Sequence, residues 1–262
     1  MDNIIRIIPV LFIKDGLIVR SQSFNKHLFI GNVIEQAKRL NDYNVDELIY
    51  IDISRENKYD LGRNDLFVKS KEDILSIISS ISKVCFMPLS FGGKIRTVKD
   101  ATNRIRAGAD KIIINSLLFN KKNIVSEIVK EIGSQAVVGS IDYKIIGNEA
   151  IVFNKFGKNN TKIKLLNFIK NLEDLNIGEL FIQNIDKDGS QNGYDTNIIQ
   201  KVVENTSLPV IACSGAGTAE DFIDPVKIEN ISGVAAGNLF NYTERSYPNV
   251  KKILKKNKLN VR

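Results

Sequence analysis

Residues 92–101, GGKIRTVKDA, match residues 214–222, SGAGTAEDF, so that Thr97 corresponds to Thr218 at a spacing of 121 positions. The match continues downstream, because INSLLF at 114–119 corresponds to AAGNLF at 235–240 with the same spacing. A further pair of similar segments is DELIYIDIS at 46–54 and GELFIQNID at 178–186. Self-similarity of this kind predicts a fold built from two equivalent halves.

Short apolar runs alternate along the chain with segments that have helical spacing. The runs lie at 4–13, 47–53, 84–91, 111–115, 136–141, 179–185, 208–214 and 234–240. Continuous apolar runs indicate parallel strands whose outer face is covered. Helices are predicted at 32–43, 72–82, 97–107, 121–132, 164–175, 194–204, 218–227 and 246–257. Eight such units in 262 residues predict a (β/α)8 TIM barrel with a half-barrel internal repeat, and a doubly wound open sheet is the alternative.

The chain has no linker-like stretch and no abrupt change in composition, which predicts a single barrel domain over residues 1–262. Two insertions, at 14–31 and 143–163, follow the first and fifth predicted strands. The second contains EAIVF after a Gly-Asn turn, which predicts a small hairpin on the barrel rim. Both insertions follow strand C-termini, where the active sites of barrel enzymes form.

Composition excludes several classes of function. The net charge of +7 comes largely from the C-terminal KKILKKNKLNVR and from scattered lysines, without Trp or aromatic side chains interleaved with Arg. This pattern argues against nucleic acid and favours an anionic small ligand. A signal peptide and an apolar run of 18 residues are both missing, which predicts a cytoplasmic protein without membrane association. Two cysteines in apolar runs and one histidine argue against disulfides and metal sites, and no cofactor is expected.

Glycine-containing turns precede predicted helices at the two repeated positions. Backbone N–H groups at such turns bind phosphate, so two turns predict a small ligand with a phosphate at each end. Helix capping is the alternative role for the short polar side chains nearby. The proposed phosphate-binding residues are Gly92, Gly93, Asn115, Ser116, Ser214, Gly215, Gly237 and Asn238.

Charged residues are placed at both ends of the predicted strands. Asp52, Asp142, Asp186 and Asp188 follow strand C-termini, where a carboxylate exchanges protons if its pKa is raised, and loop capping is the alternative. At the opposite ends, charges normally serve stability, but a ring of alternating sign would also gate a central passage. The residues of this ring are Arg6, Glu47, Lys111 and Glu179.

Six segments are more specific than a generic barrel sequence. They are KDG at 14–16, DELIYIDI at 46–53, GADKIIIN at 108–115, GSQAVVGSIDYK at 133–144, IDKDGSQNGYD at 185–195 and NVR at 260–262. Together they resemble, over nearly the whole chain, the HisF family, the cyclase subunit of imidazole glycerol phosphate synthase in histidine biosynthesis.

The resemblance implies a barrel with a HisH-like glutaminase subunit on its N-terminal face and ammonia passing to the mouth. The implied reaction is that of a lyase: a bisphosphorylated ribulosyl-formimino carboxamide ribotide gives imidazole glycerol phosphate and aminoimidazole carboxamide ribotide. By position, Asp142 resembles a catalytic carboxylate and Asp110 an interface residue facing the glutaminase. The ammonia gate is implied at Arg6, Glu47, Lys111 and Glu179.

The mouth departs from the family pattern, although Asn115 and Asp188 agree with it. Phe12 stands where the family has its second catalytic carboxylate, and a phenyl ring neither donates nor accepts a proton. Lys94 and Ser214 replace glycines of the two phosphate turns, and Phe156 replaces a small hydroxyl residue. The charged residues at the N-terminal end of the barrel agree with the family pattern, whereas several residues at the mouth differ from it. The alternative function is therefore a catalytically altered paralogue that conducts ammonia to an amidotransferase making an acetamidino sugar for lipopolysaccharide or other surface glycans.

Overall fold

The computed structural model describes residues 4–55, 58–60, 73–242 and 245–262. The strands are β1 Arg6–Lys14, β2 Leu17–Gln22, β3 Lys26–Asn32, β4 Leu48–Asp52, β5 Leu89–Gly92, β6 Lys111–Ile114, β7 Val137–Ile146, β8 Glu149–Asn154, β9 Asn159–Lys164, β10 Glu179–Asn184, β11 Val210–Ser214 and β12 Ile231–Ala236. The helices are α1 Val33–Asp42, α2 Ile74–Ile81, α3 Val98–Arg106, α4 Leu117–Asn120, α5 Lys122–Ile132, α6 Leu165–Lys170, α7 Thr196–Glu204, α8 Ile223–Val226, α9 Leu239–Tyr242 and α10 Ser246–Lys256.

Eight parallel strands form a closed barrel. Their order is β1, β4, β5, β6, β7, β10, β11 and β12, and β12 pairs with β1 to complete the circle. The closed pairing confirms the predicted (β/α)8 barrel and excludes the open sheet. It also leaves the barrel strands without a free edge, since every one of them has two neighbours.

Side chains alternate along β1 between the barrel interior and the layer of helices. Ile8 and Val10 belong to an apolar cluster inside the barrel, whereas Ile7 and Leu11 belong to the larger core between the strands and the helices. The helices supply one apolar face each, as α1 does with its buried residues at 33, 37 and 40. Burial on both faces explains why the strand sequences are continuously apolar rather than alternating.

Both insertions form hairpins at the C-terminal ends of the barrel strands. β7 continues through Ile146 and pairs with β8, which confirms the hairpin predicted in the second insertion. The first insertion forms β2 and β3, and β2 pairs with the end of β1 through Val19 and Phe12. The hairpin of the first insertion was missed, although the β-branched residues Ile18 and Val19 are a signal for a strand.

Most helix boundaries agree with the predicted ranges to within two residues. Two predicted helices are interrupted: 164–175 contains α6 and a separate 3-10 turn, Glu173–Leu175, and 218–227 contains the 3-10 turn Glu220–Phe222 followed by α8. The short helices α4 and α9 follow β6 and β12, at corresponding places in the two halves. Within the described ranges, no helix is both long enough and apolar enough to cross a membrane.

Candidate functional site

The N-terminal end of the barrel interior holds a charged cluster, formed by the four side chains that the sequence places at strand starts. Arg6 Nη1 lies 2.5 Å from Glu47 Oε2, and the same guanidinium also bonds to Glu179. Lys111 Nζ lies 2.9 Å from Glu179 Oε2 and 3.4 Å from Glu47 Oε2. Each cation therefore contacts both carboxylates, and the formal charges of the cluster sum to zero.

Two serines complete this cluster. Ser90 Oγ donates to Glu47 Oε1 at 2.7 Å, and Ser232 Oγ donates to Glu179 Oε1 at 3.1 Å. Burial alone would raise the pKa of Glu179, but Arg6 and Lys111 outweigh it and hold that pKa below its usual value. The serines were missed because a lone hydroxyl near a strand start carries no distinctive sequence signal.

Apolar side chains fill the barrel interior above the charged cluster. Ile8, Ile113, Val138 and Phe181 are among them, and Cys213 lies in the same cluster near the mouth. This packing is typical of TIM barrels, whose interior is a layered core rather than an open pore. The side chains between the charged end and the mouth are therefore apolar.

Asp142 lies at the mouth, on the part of β7 that pairs with β10. Asn115 Nδ2 donates 3.1 Å hydrogen bonds to Asp142 Oδ2 and to the Ser140 carbonyl oxygen. Burial raises the pKa of Asp142 to about 7, assisted by the charge of Asp188 and opposed by the Asn115 hydrogen bond. At neutral pH this carboxyl group is populated in both protonation states, which suits a group that exchanges protons.

Phe12 lies on the opposite side of the mouth, because β1 and β7 are four strands apart in the barrel of eight. Phe12 is 6 % exposed and belongs to the interior apolar cluster together with Val19, and Ile51 packs against that cluster. A Cβ atom on Gly237 would lie 3.3 Å from Phe12 Cε2, so the ring also reaches one of the proposed phosphate positions. The β1 side of the mouth is thus apolar, in contrast to the carboxyl group on β7.

Asp188 fixes the β2–β3 hairpin at the mouth. Its carboxylate accepts hydrogen bonds from Ser21 Oγ at 2.8 Å and from the Phe24 N–H at 3.3 Å, and its carbonyl oxygen accepts one from the Ser23 N–H at 3.0 Å. Ser23 and Phe24 have φ values of 50° and 57°, which non-glycine residues rarely adopt. The bonds from Asp188 stabilise this turn, and burial raises the pKa of Asp188.

The proposed phosphate residues form two groups on opposite sides of the mouth. Gly92 ends β5, beside Asn115 and Ser116 after β6. Ser214 ends β11, beside Gly237 and Asn238 after β12. Pairs β5–β6 and β11–β12 are separated by two strands in each direction around the barrel, as a ligand with two distant phosphates requires.

Three polar side chains of this set are already engaged within the chain. Asn115 bonds to Asp142 as described, Ser214 Oγ donates to the Gly193 carbonyl oxygen at 2.9 Å, and Asn238 Nδ2 donates to the Ser21 carbonyl oxygen at 2.6 Å. Ser116 is the N-cap residue of α4 and its side chain makes no capping bond. Backbone groups are therefore the better candidates for holding a phosphate.

Lys94 keeps the backbone conformation that would favour glycine, with φ of 54°. Its ammonium group lies 3.5 Å from Asp52 Oδ2 and 5.0 Å from the centre of the Tyr59 ring. Asp52 is buried and also accepts from Ser54 Oγ at 2.6 Å and Tyr59 Oη at 3.0 Å. Asp52 is thus a structural centre for the segment after β4, and the lysine charge is paired with it.

Two further residues from the sequence comparison lie at the protein surface. Phe156 is 57 % exposed between β8 and β9, away from the interior cluster. Asp110 precedes β6 and its carboxylate accepts a 2.8 Å hydrogen bond from the Leu89 N–H at the N-terminal end of the barrel.

Comparisons with known proteins identify the family of the chain. Residues 6–246 match a family model described as histidine biosynthesis protein. The chain is 34% identical over 257 residues to the imidazole glycerol phosphate synthase subunit HisF of Sulfolobus acidocaldarius and to that of Natranaerobius thermophilus, with 98% of each chain covered. A Pseudomonas aeruginosa protein given the subunit name hisF2 is 34% identical over 256 residues, covering 95% of this chain and 97% of its own. The chain belongs to the HisF family of histidine biosynthesis proteins.

Proposed function

We propose that this chain is the synthase or cyclase subunit of a glutamine amidotransferase of the imidazole glycerol phosphate synthase type. A HisH-like glutaminase docks on the N-terminal barrel face and releases ammonia there. The charged cluster of Arg6, Glu47, Lys111 and Glu179 is the single observation that carries the proposal. It closes the base of an apolar interior that leads to Asp142.

The cluster has the properties of an ammonia gate. All four side chains are mutually paired, so that moving one cation aside opens the base of the barrel while the other cation still contacts both carboxylates. Neutral ammonia crosses the apolar interior above it at a lower cost than an ammonium ion does. The ammonium ion would lose its hydration there, which costs several kcal/mol.

At the mouth, the proposed substrate is the bisphosphorylated ribulosyl-formimino carboxamide ribotide. Backbone groups of the turns at Gly92–Gly93 and Ser214–Gly215 hold its two phosphates from opposite sides. Asp142 then exchanges protons with the reacting atoms during addition of ammonia and ring closure. The products are imidazole glycerol phosphate and aminoimidazole carboxamide ribotide.

The test is turnover of this ribotide by the purified chain with an ammonium salt, and by its complex with the glutaminase and glutamine. We expect turnover in both assays and its loss in Asp142→Asn. The matched control is Asp186→Asn, because Asp186 also follows a strand at the mouth but is partly exposed and bonds to the Ile145 N–H. Turnover that survives Asp142→Asn would contradict the assigned role of Asp142.

A second candidate function is favoured by Phe12. In this version the chain conducts ammonia to an amidotransferase that makes an acetamidino sugar for lipopolysaccharide or other surface glycans. The apolar β1 side of the mouth, with the Phe12 ring against Gly237, supplies no second proton carrier at that position. The test mixes this chain with the glutaminase and the sugar amidotransferase. Glutamine-dependent amidation of the sugar without ribotide turnover would favour this function over the first.

A further inference from the structure

Two apolar side chains on β3 are exposed to solvent at the barrel mouth. Leu28 is 62% exposed and Ile30 is 41% exposed, whereas Phe29 between them packs against the interior apolar cluster. Successive side chains of a strand point to opposite faces, which produces this alternation. β3 is therefore apolar on both faces, and the outer one is uncovered.

β3 is also an edge strand. Across the described ranges its strand pairing is with β2 alone, so one side of its backbone has no strand neighbour. Proteins usually protect an exposed edge with charges, proline or a covering segment. An uncovered sheet edge with exposed apolar side chains is available for contact with another protein chain.

Cations lie near the apolar pair. Lys26 begins β3 and is exposed, as is Arg55 after β4. Lys14 lies near this strand, because it pairs with Leu17 of β2, which in turn pairs with Asn32 of β3. Burial lowers the pKa of His27 on β3, and the positive charges of Lys14 and Arg55 lower it further. An apolar patch within a positive field is complementary to a partner with an acidic surface.

The hairpin that carries this patch is held firmly over the mouth. Ser21 bonds to the Asp188 carboxylate at 2.8 Å, and Asn238 bonds to the Ser21 carbonyl oxygen at 2.6 Å. On the inner face, Val19 and Phe29 pack against the interior cluster. The patch therefore lies on the outside of the structure that borders the proposed ammonia exit.

We propose that Leu28 and Ile30, with the cations Lys14, Lys26 and Arg55, form the docking surface for an acidic-faced protein that holds the ammonia acceptor. This inference rests on the second candidate function, in which that protein is the sugar amidotransferase. An anionic membrane would also match an apolar and basic patch. A protein is favoured because the patch borders the exit, where a docked acceptor receives ammonia before it reaches solvent.

The test uses the chain in complex with its glutaminase, and the purified sugar amidotransferase as the probe. The double variant Leu28→Glu, Ile30→Glu should weaken binding by at least about tenfold. The matched control is Ile146→Glu, Ile163→Glu, which changes side chains 46% and 38% exposed on the other hairpin. We expect the control to bind as the wild type does, and wild-type binding to weaken as salt rises to about 0.3 M.

Activity gives the second readout. In the double variant, glutamine-dependent sugar amidation should fall while amidation supported by added ammonium salt stays unchanged. Because both changed side chains are exposed, we expect both variants to fold, and their melting temperatures check this expectation.

Three outcomes would overturn the docking surface. In the first, the double variant binds the amidotransferase as the wild type does. In the second, the control variant loses as much amidotransferase binding as the double variant. In the third, the double variant loses binding to phosphatidylglycerol vesicles but keeps binding to the amidotransferase. If the wild-type mixture shows no glutamine-dependent sugar amidation, the second candidate function fails and the inference fails with it. If amidation is present and the double variant retains it, the function stands and the surface is wrong.

Discussion

Asp100 and Asp221 make the same pair of hydrogen bonds in the two halves of the barrel. The Asp100 carboxylate accepts from the Arg96 and Thr97 N–H groups, each at 3.0 Å. The Asp221 carboxylate accepts from the Gly217 and Thr218 N–H groups, each at 2.8 Å. The repeat visible in the sequence thus recurs as shared capping geometry. These four N–H groups are occupied, so the proposed phosphate contacts would be made by the residues that precede them.

We expect Asp100→Ala and Asp221→Ala each to lower the free energy of unfolding by about 1 kcal/mol, because each removes a capping acceptor. Asparagine at either position keeps an oxygen acceptor and should cost less. Urea denaturation of the two single variants and the double variant measures both effects. Strong non-additivity would show that the two halves are energetically coupled at these turns.

Asp142→Asn should change stability in a pH-dependent way. The native pKa is about 7, against 3.8 for an unperturbed aspartate, so the folded state binds more protons than the unfolded state between these values. Wild-type stability therefore falls as pH rises from about 4 to about 7 through this group. The asparagine variant lacks this loss and should gain stability relative to the wild type at pH 8. Melting temperatures at pH 5 and pH 8 test the sign, and a relative gain confined to pH 5 would contradict it.

Phe12→Asp should introduce a proton carrier opposite Asp142 and give or increase ammonia-dependent ribotide turnover. The change places a carboxyl group in an apolar cluster, so we expect it to cost about 2–4 kcal/mol of stability. Phe12→Leu is the matched control, since it alters packing without adding a titratable group. We would measure the turnover rates of the two variants under conditions in which both are equally folded. Similar rates in both would show that a second carboxylate at this position is not what limits the reaction.

Lys111→Met should destabilise the charged cluster by about 2 kcal/mol, because Glu47 and Glu179 then share Arg6 alone. The loss should be larger at pH 8 than at pH 3, because Arg6 and Lys111 hold the pKa of Glu179 below its usual value and the stabilisation they give is lost as pH falls through that pKa. The double variant Lys111→Met, Glu179→Gln removes one charge of each sign and should recover part of the loss. A double-mutant cycle from denaturant titrations gives the coupling energy. A coupling near zero would contradict the pairing seen at 2.9 Å.

Lys94→Gly combines two opposing effects. Glycine relieves a left-handed conformation that costs a β-carbon residue about 1 kcal/mol, but the change also removes the cation from buried Asp52. Lys94→Met keeps the conformational cost and loses the charge. We therefore expect stability to decrease in the order wild type, Gly variant, Met variant, with a total range of about 2 kcal/mol. Thermal unfolding at constant pH measures the order, and a Met variant as stable as the wild type would show that the ion pair contributes nothing.

The barrel was predictable because eight apolar runs, each bounded by turn residues, leave few other topologies. The charged cluster was predictable as well, since four charged residues at strand starts must meet at one end of a parallel barrel. The contacts of the side chains at the barrel mouth were harder to predict. The Lys94 side chain contacts Asp52 and the ring of Tyr59, and both residues are far from Lys94 in the sequence. The bonds between Asp188 and Ser21 join residues 167 positions apart, beyond any local pattern.

The two free cysteines lie in different apolar clusters, with Cys213 inside the barrel and Cys85 between the strands and the helices. Burial raises the pKa of Cys213 well above its usual value and that of Cys85 to about 11. Neither thiol reacts readily with an alkylating reagent while its surroundings are intact, because the thiolate is the reactive form. The labelling rate of each cysteine thus reports how often one particular region opens. Alkylation of Cys213 therefore measures opening of the barrel interior, and alkylation of Cys85 measures separation of the helices from the strands.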